Sequence, residues 1–288
     1  MKNILAYFYH FVVTNDINSS GYFFYNNQLF CLKKYKRSRE EVNSLLILNN
    51  YMLINNQKIN RIILNINNEV LSLYDNDYYV LLKIDYQKYN NYFKMIVAPS
   101  IKELNNLRRD NWAYLWSVKI DYIEYQIEHL MNKYPLIYDT VNYYIGLTEN
   151  AITYFKMLNL TKESLYVAHR RMMKNNYYNP LDLIIDYQVR DIVEYLKYQF
   201  FDRQMSSKDV INYLKKTNFT EVEYLLLYVR FLYPSYYFDV YEKIINKEQE
   251  EKTILDIINI ANEYEDLLKQ IIVFIKTKVK ILEITWLN

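Results

Sequence analysis

The stretch Leu165–Lys197 reads LYVAHRRMMKNNYYNPLDLIIDYQVRDIVEYLK and holds a dense set of candidate functional side chains. His169 comes first, Arg171 follows two residues on, and Asn176 five residues after that. An arginine stays protonated at any ordinary pH, so the middle of this triplet cannot accept a proton. Arg170 and Arg171 with Lys174 form a basic cluster of a kind that can hold an anion without a metal. Asp182 and Asp186 stand four apart in LDLIID, a spacing that puts both on one face of a strand or of a helix. Arg190 and Asp191 then open an apolar-periodic run and read as a pair with a structural role, fixing the loop to the following helix.

The chain around this stretch has 288 residues, enough for one bilobal domain or two intimate ones with a substantial core. A hydrophobic fraction of 51% excludes wholesale disorder. The net charge is +2, from 35 basic and 33 acidic residues, which gives no bulk electrostatic case for nucleic acid or membrane. Only 2 Gly and 4 Pro occur against 34 Tyr, a skew that AT-rich codon usage produces by drift. A single cysteine, Cys31, excludes an internal disulfide and a thiolate zinc site; its apolar strand pattern marks it as a buried small hydrophobe. The opening MKNILAYFYHFVV lacks a small-residue cleavage site, and lysines break the apolar run near the C-terminus. These patterns imply a soluble, intracellular chain without a membrane span. His10 and His129 are isolated and read as structural or surface histidines.

The first third reads as strands. Tyr22–Tyr25 and Gln28–Tyr35 flank Asn26-Asn27, a dipeptide that tolerates the positive φ angles of a tight hairpin. Ile62–Ile66 and Val70–Tyr74 flank Asn67-Asn68 in the same way, and Asp75-Asn76-Asp77 leads into Tyr78–Lys83. One helix interrupts the five strands: Ser38 with Glu41 three residues later reads as a capping box before Val42, Leu45, Leu46 and Leu48. Beyond Asp85 the pattern is helical. Trp112, Trp116, Ile120, Ile123 and Ile127 recur at helical spacing, Thr220 with Glu223 makes a second capping box, and Thr253–Lys276 carries one apolar stripe. The expectation is an α+β chain, with residues 1–84 a small antiparallel five-stranded lobe with one helix and residues 85–288 a larger, mainly helical lobe.

With these elements in place the chain resembles the spore coat kinase-like proteins of the CotS/YutH group, within the choline/aminoglycoside phosphotransferase-like branch of the protein-kinase-like fold. The resemblance lies in YNNQLFCLKKYKRSREEV and NINNEVLSLYDNDYYVLLKID, then in WAYLWSVKIDYIE, YYIGLTENAITYF and YNPLDLIIDYQVRDIVEYLK. The last three are similar to the YutH type. The resemblance implies a bilobal kinase-like fold, expression in the mother cell, deposition in the spore coat, and other spore coat proteins as partners.

It also implies roles for single residues. Phosphoryl transfer of this kind needs a phosphate-holding loop, a Lys, Mg²⁺-holding side chains and a base. The phosphate loop falls on NDINSSGYFF, whose only glycine is Gly21. The strand Lys falls on Lys33 or Lys34, with Lys33 favoured, and its helix partner on Glu41 or else Glu40. The equally open alternative is that KKYKRSREE is a solvated charged turn. The catalytic Asp position holds Arg171, so the loop of His169, Arg171 and Asn176 is degenerate. Counting forward from Asn176 puts the metal-binding Asp at Asp186, whereas counting back from Arg190-Asp191-Ile192 meets only Asn179-Pro180. The second count follows the more specific block, and on it both carboxylates are absent. His169 then packs the loop.

Three functions fit these residues. The first is a catalytically inactive pseudokinase serving as a scaffold or binding module, with no cofactor. The second is an active ATP-dependent phosphotransferase using ATP and Mg²⁺ through Asp182 as base and Asp186 as metal ligand. The third is a module that senses an anion or nucleotide without turnover.

Overall fold

The computed structural model describes residues 1–87, 95–160, 163–172 and 176–281; Lys174 of the basic cluster lies outside them. Packing divides the chain into two compact units. One comprises Met1–Arg108 with Tyr166–Asp186, the other Arg109–Leu165 with Tyr187–Asn288. This grouping does not follow a cut at residue 84, because Tyr166–Asp186 folds back onto the N-terminal unit through backbone bridges Val97 to Tyr166 and Arg108 to Ile185.

In the first unit, helix α1 (Lys2–Tyr9) precedes strands β1 (Tyr22–Tyr25) and β2 (Gln28–Lys34). Asn26 and Asn27 turn between them at φ 48° and 58°, the left-handed geometry expected of that dipeptide. Helix α2 (Val42–Ile54) is followed by β3 (Arg61–Ile63), β4 (Ser72–Tyr74) and β5 (Asp77–Lys83). The expected hairpin across Asn67-Asn68 does not form: β3 and β4 both pair with β5, in order β1-β2-β5-β3 with β4 on the other part of β5. The intervening loop is built on Asn65, whose Oδ1 accepts the amides of Asn67 and Glu69 and whose Nδ2 donates to the Leu71 carbonyl.

The register sorts the sheet into two faces. Phe23, Phe30, Leu32 and Leu81 lie on one, packed with Ile4, Leu5, Tyr9 and Val13 into a core under α1. Cys31, Lys33, Val80 and Leu82 share the other face, by the alternation of strand side chains. Gly21, at φ +86°, lies against the backbone of Leu32, where any side chain would collide with the carbonyl. Strands β6 (Tyr166–His169) and β7 (Leu183–Asp186) form a separate antiparallel pair in the same unit. The segment between β6 and β7 is tied to the sheet by Asn60. Its side chain accepts the amides of Asp85 and Tyr86 and donates to the Tyr86 carbonyl, while its own amide donates to the Tyr178 carbonyl.

The second unit is helical: α3 (Trp112–Ile127), α4 (Pro135–Lys156), α5 (Val189–Phe201), α6 (Ser207–Leu214), α7 (Glu221–Leu232), α8 (Ser235–Ile245), α9 (Leu255–Ile258) and α10 (Ala261–Lys276). The stripe expected over Thr253–Lys276 is split at Asn259-Ile260, so Ile254 and Ile257 pack from one short segment and Leu268, Ile271 and Ile275 from the next. Many tyrosines that read as drift are core residues here. Tyr144, Tyr224, Tyr228, Tyr237, Tyr241 and Tyr264 are buried; Tyr144 stacks on Tyr237 at 3.7 Å, and the Tyr264 hydroxyl donates to the Phe231 carbonyl. No described helix is long and apolar enough to cross a membrane.

Candidate functional site

The site is built in the first unit from three pieces: the loop before β1, the turn between β2 and α2, and the segment between β6 and β7. The first piece is the glycine-poor loop. Asn18 organises it: its Oδ1 accepts the amides of Ser20 (3.0 Å) and Tyr22 (2.9 Å), and its backbone carbonyl accepts the amide of Gly21 (2.9 Å). A phosphate-holding loop works by aiming backbone N–H groups at the phosphates. Here three successive donors are already bonded within the turn, and a phosphate would have to displace them.

In the second piece Lys33 is half-buried on the Cys31 face, whereas Lys34 is exposed and pairs with Asp77 at 2.6 Å. Lys33 makes no ion pair among the described residues, so the expected Lys33–Glu41 clamp is not formed. Glu41 is taken instead by Arg37, whose Nε donates to its Oε2 at 2.7 Å. Both side chains are buried, so KKYKRSREE is not simply a solvated turn. The capping box expected at Ser38 is also altered. The Ser38 hydroxyl accepts the Glu40 amide at the start of a 3₁₀ turn, and α2 begins only at Val42. Arg37 was missed by sequence reasoning. Its spacing of four from Glu41 was a signal, but nothing local marks it as buried.

Arg37 reaches the third piece. Its Nη1 donates to the carbonyls of Leu181 and Leu183, both at 2.8 Å, and its Nη2 is buried with no partner among the described residues. Burial draws the Arg170 guanidinium below its ordinary pKa, repulsion from Arg37 adds to this, and Glu41 opposes it. The same surroundings push Tyr35 up to about 12, again chiefly by burial. The buried Arg37–Glu41 pair thus acts on the Arg170 guanidinium from one side, while the rest of Arg170 is exposed.

His169 is buried. Its Nε2 lies 2.8 Å from the Tyr177 carbonyl, so this nitrogen carries the proton, and its ring stacks on Tyr177. Arg171 donates from Nη1 to the carbonyl of Arg170, and Asn176 donates from Nδ2 to the carbonyl of Arg171 at 2.6 Å. Each of these bonds closes the loop on itself. Asp182 and Asp186 are not on one face of one element: Asp182 ends a 3₁₀ turn, where Asn179 Nδ2 donates to its carboxylate at 2.6 Å, while Asp186 is fully buried at the end of β7 opposite Tyr166. Asn179 is a turn residue that also caps the amide of Leu181. Arg190 and Asp191 belong to the second unit and are both buried in the first turn of α5. His10 and His129 are exposed; His10 ends α1 at φ 54°, and His129 lies edge-on to Tyr125.

Residues 2–271 match the family described as "Spore coat putative kinase YutH". The chain belongs to the YutH family. Among curated relatives, the endospore coat-associated protein YutH of Bacillus subtilis (strain 168) is 26% identical over 188 residues, a match spanning 56% of each chain. Solved structures extend the likeness to the fold. An aminoglycoside phosphotransferase from Alicyclobacillus acidocaldarius superposes with a TM-score of 0.61 at 8% identity, covering 92% of this chain and 93% of the other. Spectinomycin phosphotransferase in complex with ADP and spectinomycin gives 0.54 at 10% identity, covering 96% and 97%. Amicoumacin kinase gives 0.55 at 10% identity, covering 93% and 92%. The YutH family chain thus has the kinase-like fold of the aminoglycoside phosphotransferases, with an antiparallel sheet in the first unit and a helical second unit. At these identities the likeness concerns fold alone. The donor set does not match Mg·ATP chemistry: the amides of Ser20, Gly21 and Tyr22 are closed on Asn18, Glu41 is held by Arg37, and Arg171 offers no proton acceptor.

Proposed function

We propose that this chain is a catalytically inactive, kinase-like spore coat-associated protein that serves as a scaffold or binding module in sporulation, with other coat proteins as partners. Family membership supports the coat assignment. The observation that carries the inactive reading is the position of Arg171, whose side chain and carbonyl are both used to close the loop. A hydroxyl nucleophile approaching this loop finds a cation where a carboxylate would take its proton, and transfer falls towards the uncatalysed rate. Lys33 and Glu41 then have no phosphate to position, and the Arg37–Glu41 pair fixes the loop.

A second reading, anion or nucleotide binding without turnover, is favoured by one feature: the buried Arg37 and the exposed Arg170 bring two guanidiniums beside the loop. Thermal-shift titration with ATP, with and without Mg²⁺, separates the readings. A ligand at about a hundred times its Kd adds about 2.7 kcal/mol of stability, enough to raise Tm by roughly 5–10 °C in a chain of this size. The scaffold reading expects no shift in either condition. A Mg²⁺-independent shift lost in Arg170→Ala would replace it with anion sensing. A Mg²⁺-dependent shift lost in Lys33→Ala, with release of ADP abolished in Asp186→Asn, would overturn it in favour of a phosphotransferase.

A further inference from the structure

We propose that copies of this chain associate head to tail, the exposed face of α3 in one copy seating in an apolar, lysine-edged groove between α6 and α10 of the next. Two surfaces of the second unit that are unpartnered among the described residues point to this, and they are complementary in charge.

The first is the groove. Helices α6 and α10 flank an open groove of about 560 Å³ with Ile211, Val273 and Phe274 among its lining. Such a volume falls in the range that accommodates a compact organic ligand, and it gives room for two tyrosyl side chains. Val273 is 66% exposed in the last turn of α10, although an apolar side chain at that position gains nothing from water. Lys215, Lys269 and Lys278 edge the groove, and none of the three makes an ion pair among the described residues. Lys215 and Lys278 follow the ends of their helices, where a cation complements the helix dipole. Lys269 stands two turns before the end of α10, so the dipole does not account for it.

The second is α3. Its buried side is formed by Trp112, Trp116, Ile120 and Ile123. On the opposite side Tyr114, Val118, Tyr122 and Tyr125 recur at steps of four, four and three residues and are all at least half exposed. That spacing makes one continuous stripe along the helix. Asp121, Glu124 and Glu128 run along one edge of the stripe, exposed and without an ion pair among the described residues. Tyrosine is the side chain that supplies most contact area for the least conformational entropy, and it dominates binding hot spots.

A groove edged by three ammonium groups, Lys278 lying over the Tyr224 and Phe274 rings, and a ridge edged by three carboxylates, none of the six in an ion pair among the described residues, therefore occur on one molecule whose net charge is only +2. Near-neutral proteins with segregated opposite charges attract their own kind, and charge complementarity fixes which surfaces meet. The ridge and the groove share no residue, so the contact is heterologous, and unless the rotation closes a ring it extends into an open chain of copies. This stands whether or not the kinase-like site binds anything.

Sedimentation velocity on the full chain, from low micromolar to near-millimolar concentration and at low and high salt, tests it. The weight-average mass should climb past twice the monomer mass with concentration and fall back when salt screens the rims. Two surface variants then assign the faces: Tyr122→Ser/Tyr125→Ser removes the ridge, and Lys269→Ser/Val273→Ser removes the groove. Each alone should be monomeric, and an equal mixture should give a 1:1 dimer and nothing larger, since one intact ridge meets one intact groove. Circular dichroism melts of both variants should match wild type. A wild type that stays monomeric throughout would overturn the proposal. So would self-association that persists in either variant alone, because that is the mark of an isologous contact.

Discussion

A buried Arg–Glu pair anchors each unit, and the two are finished differently. In the second unit Arg230 donates to Glu194 at 2.8 Å, and Lys197 joins the same carboxylate at 3.0 Å. Lys197 also donates to the carbonyls of Arg230 and Tyr233 and to Ser235, whose hydroxyl donates to Glu194. The Arg230 guanidinium lies 5.2–5.6 Å from the ring centres of Trp112, Trp116 and Tyr233. In the first unit Arg37 binds Glu41 and two loop carbonyls, but one of its nitrogens is buried and unmet. The first network is a satisfied core feature that holds helices α5, α7 and α8 in one arrangement. The second is a tether across a sequence gap of about 145 residues, left incomplete among the described residues. Unmet buried donors persist in native structures mostly where something other than stability fixes them.

The sharpest way to break that comparison is Glu194→Ala. It leaves two buried cations, Arg230 and Lys197, without their counter-charge, and removal of one partner from a buried ion pair costs roughly 3–5 kcal/mol. Urea unfolding followed by tryptophan fluorescence should show a midpoint far below wild type, since Trp112 and Trp116 lie against this network. A loss below about 1 kcal/mol, the scale of a surface pair, would mean the cations are not held as described.

Arg37→Ala should cost less, about 2–3 kcal/mol, because it removes a carboxylate partner and two carbonyl bonds but also removes the unmet donor. Its distinctive readout is local. Amide exchange should quicken at Arg170, which donates to the Asp182 carbonyl within the tethered segment, and stay unchanged in α7. The paired substitution Arg37→Met/Glu41→Leu sharpens the contrast. Replacing a buried ion pair by apolar side chains of similar volume is often neutral, so it should recover most of the stability lost by Arg37→Ala, while the two loop carbonyls stay unpaired and exchange at Arg170 stays fast. Slow exchange in the double variant would show that Arg37 is not the tether.

These two pairs also show what was legible in the sequence. The five strands β1–β5 could be read, because period-two alternation and positive-φ asparagines at Asn26 and Asn27 are local signals. That β3 and β4 both pair with β5 could not, since the order of strands in a sheet is decided by long-range packing, and Asn67-Asn68 reads as a hairpin until Asn65 is seen closing the loop. That Arg171 offers no proton acceptor was plain from the sequence alone. The closing of the phosphate-type loop on Asn18 was not, because any asparagine in a loop offers the same side chain and only the backbone path shows which amides it takes. Arg37 was hidden for the opposite reason. Its burial depends on carbonyls at Leu181 and Leu183, far along the chain, while its immediate neighbours Lys36, Ser38 and Arg39 are all exposed.

The smallest expected effect comes from two sites that look alike in sequence, Ser38-x-x-Glu41 and Thr220-x-x-Glu223. At Thr220 the box closes: its hydroxyl accepts the Glu223 amide at 3.2 Å, and the Glu223 carboxylate accepts the Thr220 amide at 2.8 Å. At Ser38 it does not, because Arg37 has taken Glu41 and the hydroxyl serves only the Glu40 amide at 3.3 Å in a 3₁₀ turn. Thr220→Ala should therefore cost about 1 kcal/mol, the usual worth of a threonine N-cap, and Ser38→Ala about half of that or less. Equal losses in chemical denaturation would mean that the Ser38 hydroxyl caps α2 directly and that Glu41 is shared between the cap and Arg37. A larger loss at Thr220 would mean that a charge four residues away is enough to disarm a capping box whose sequence is intact.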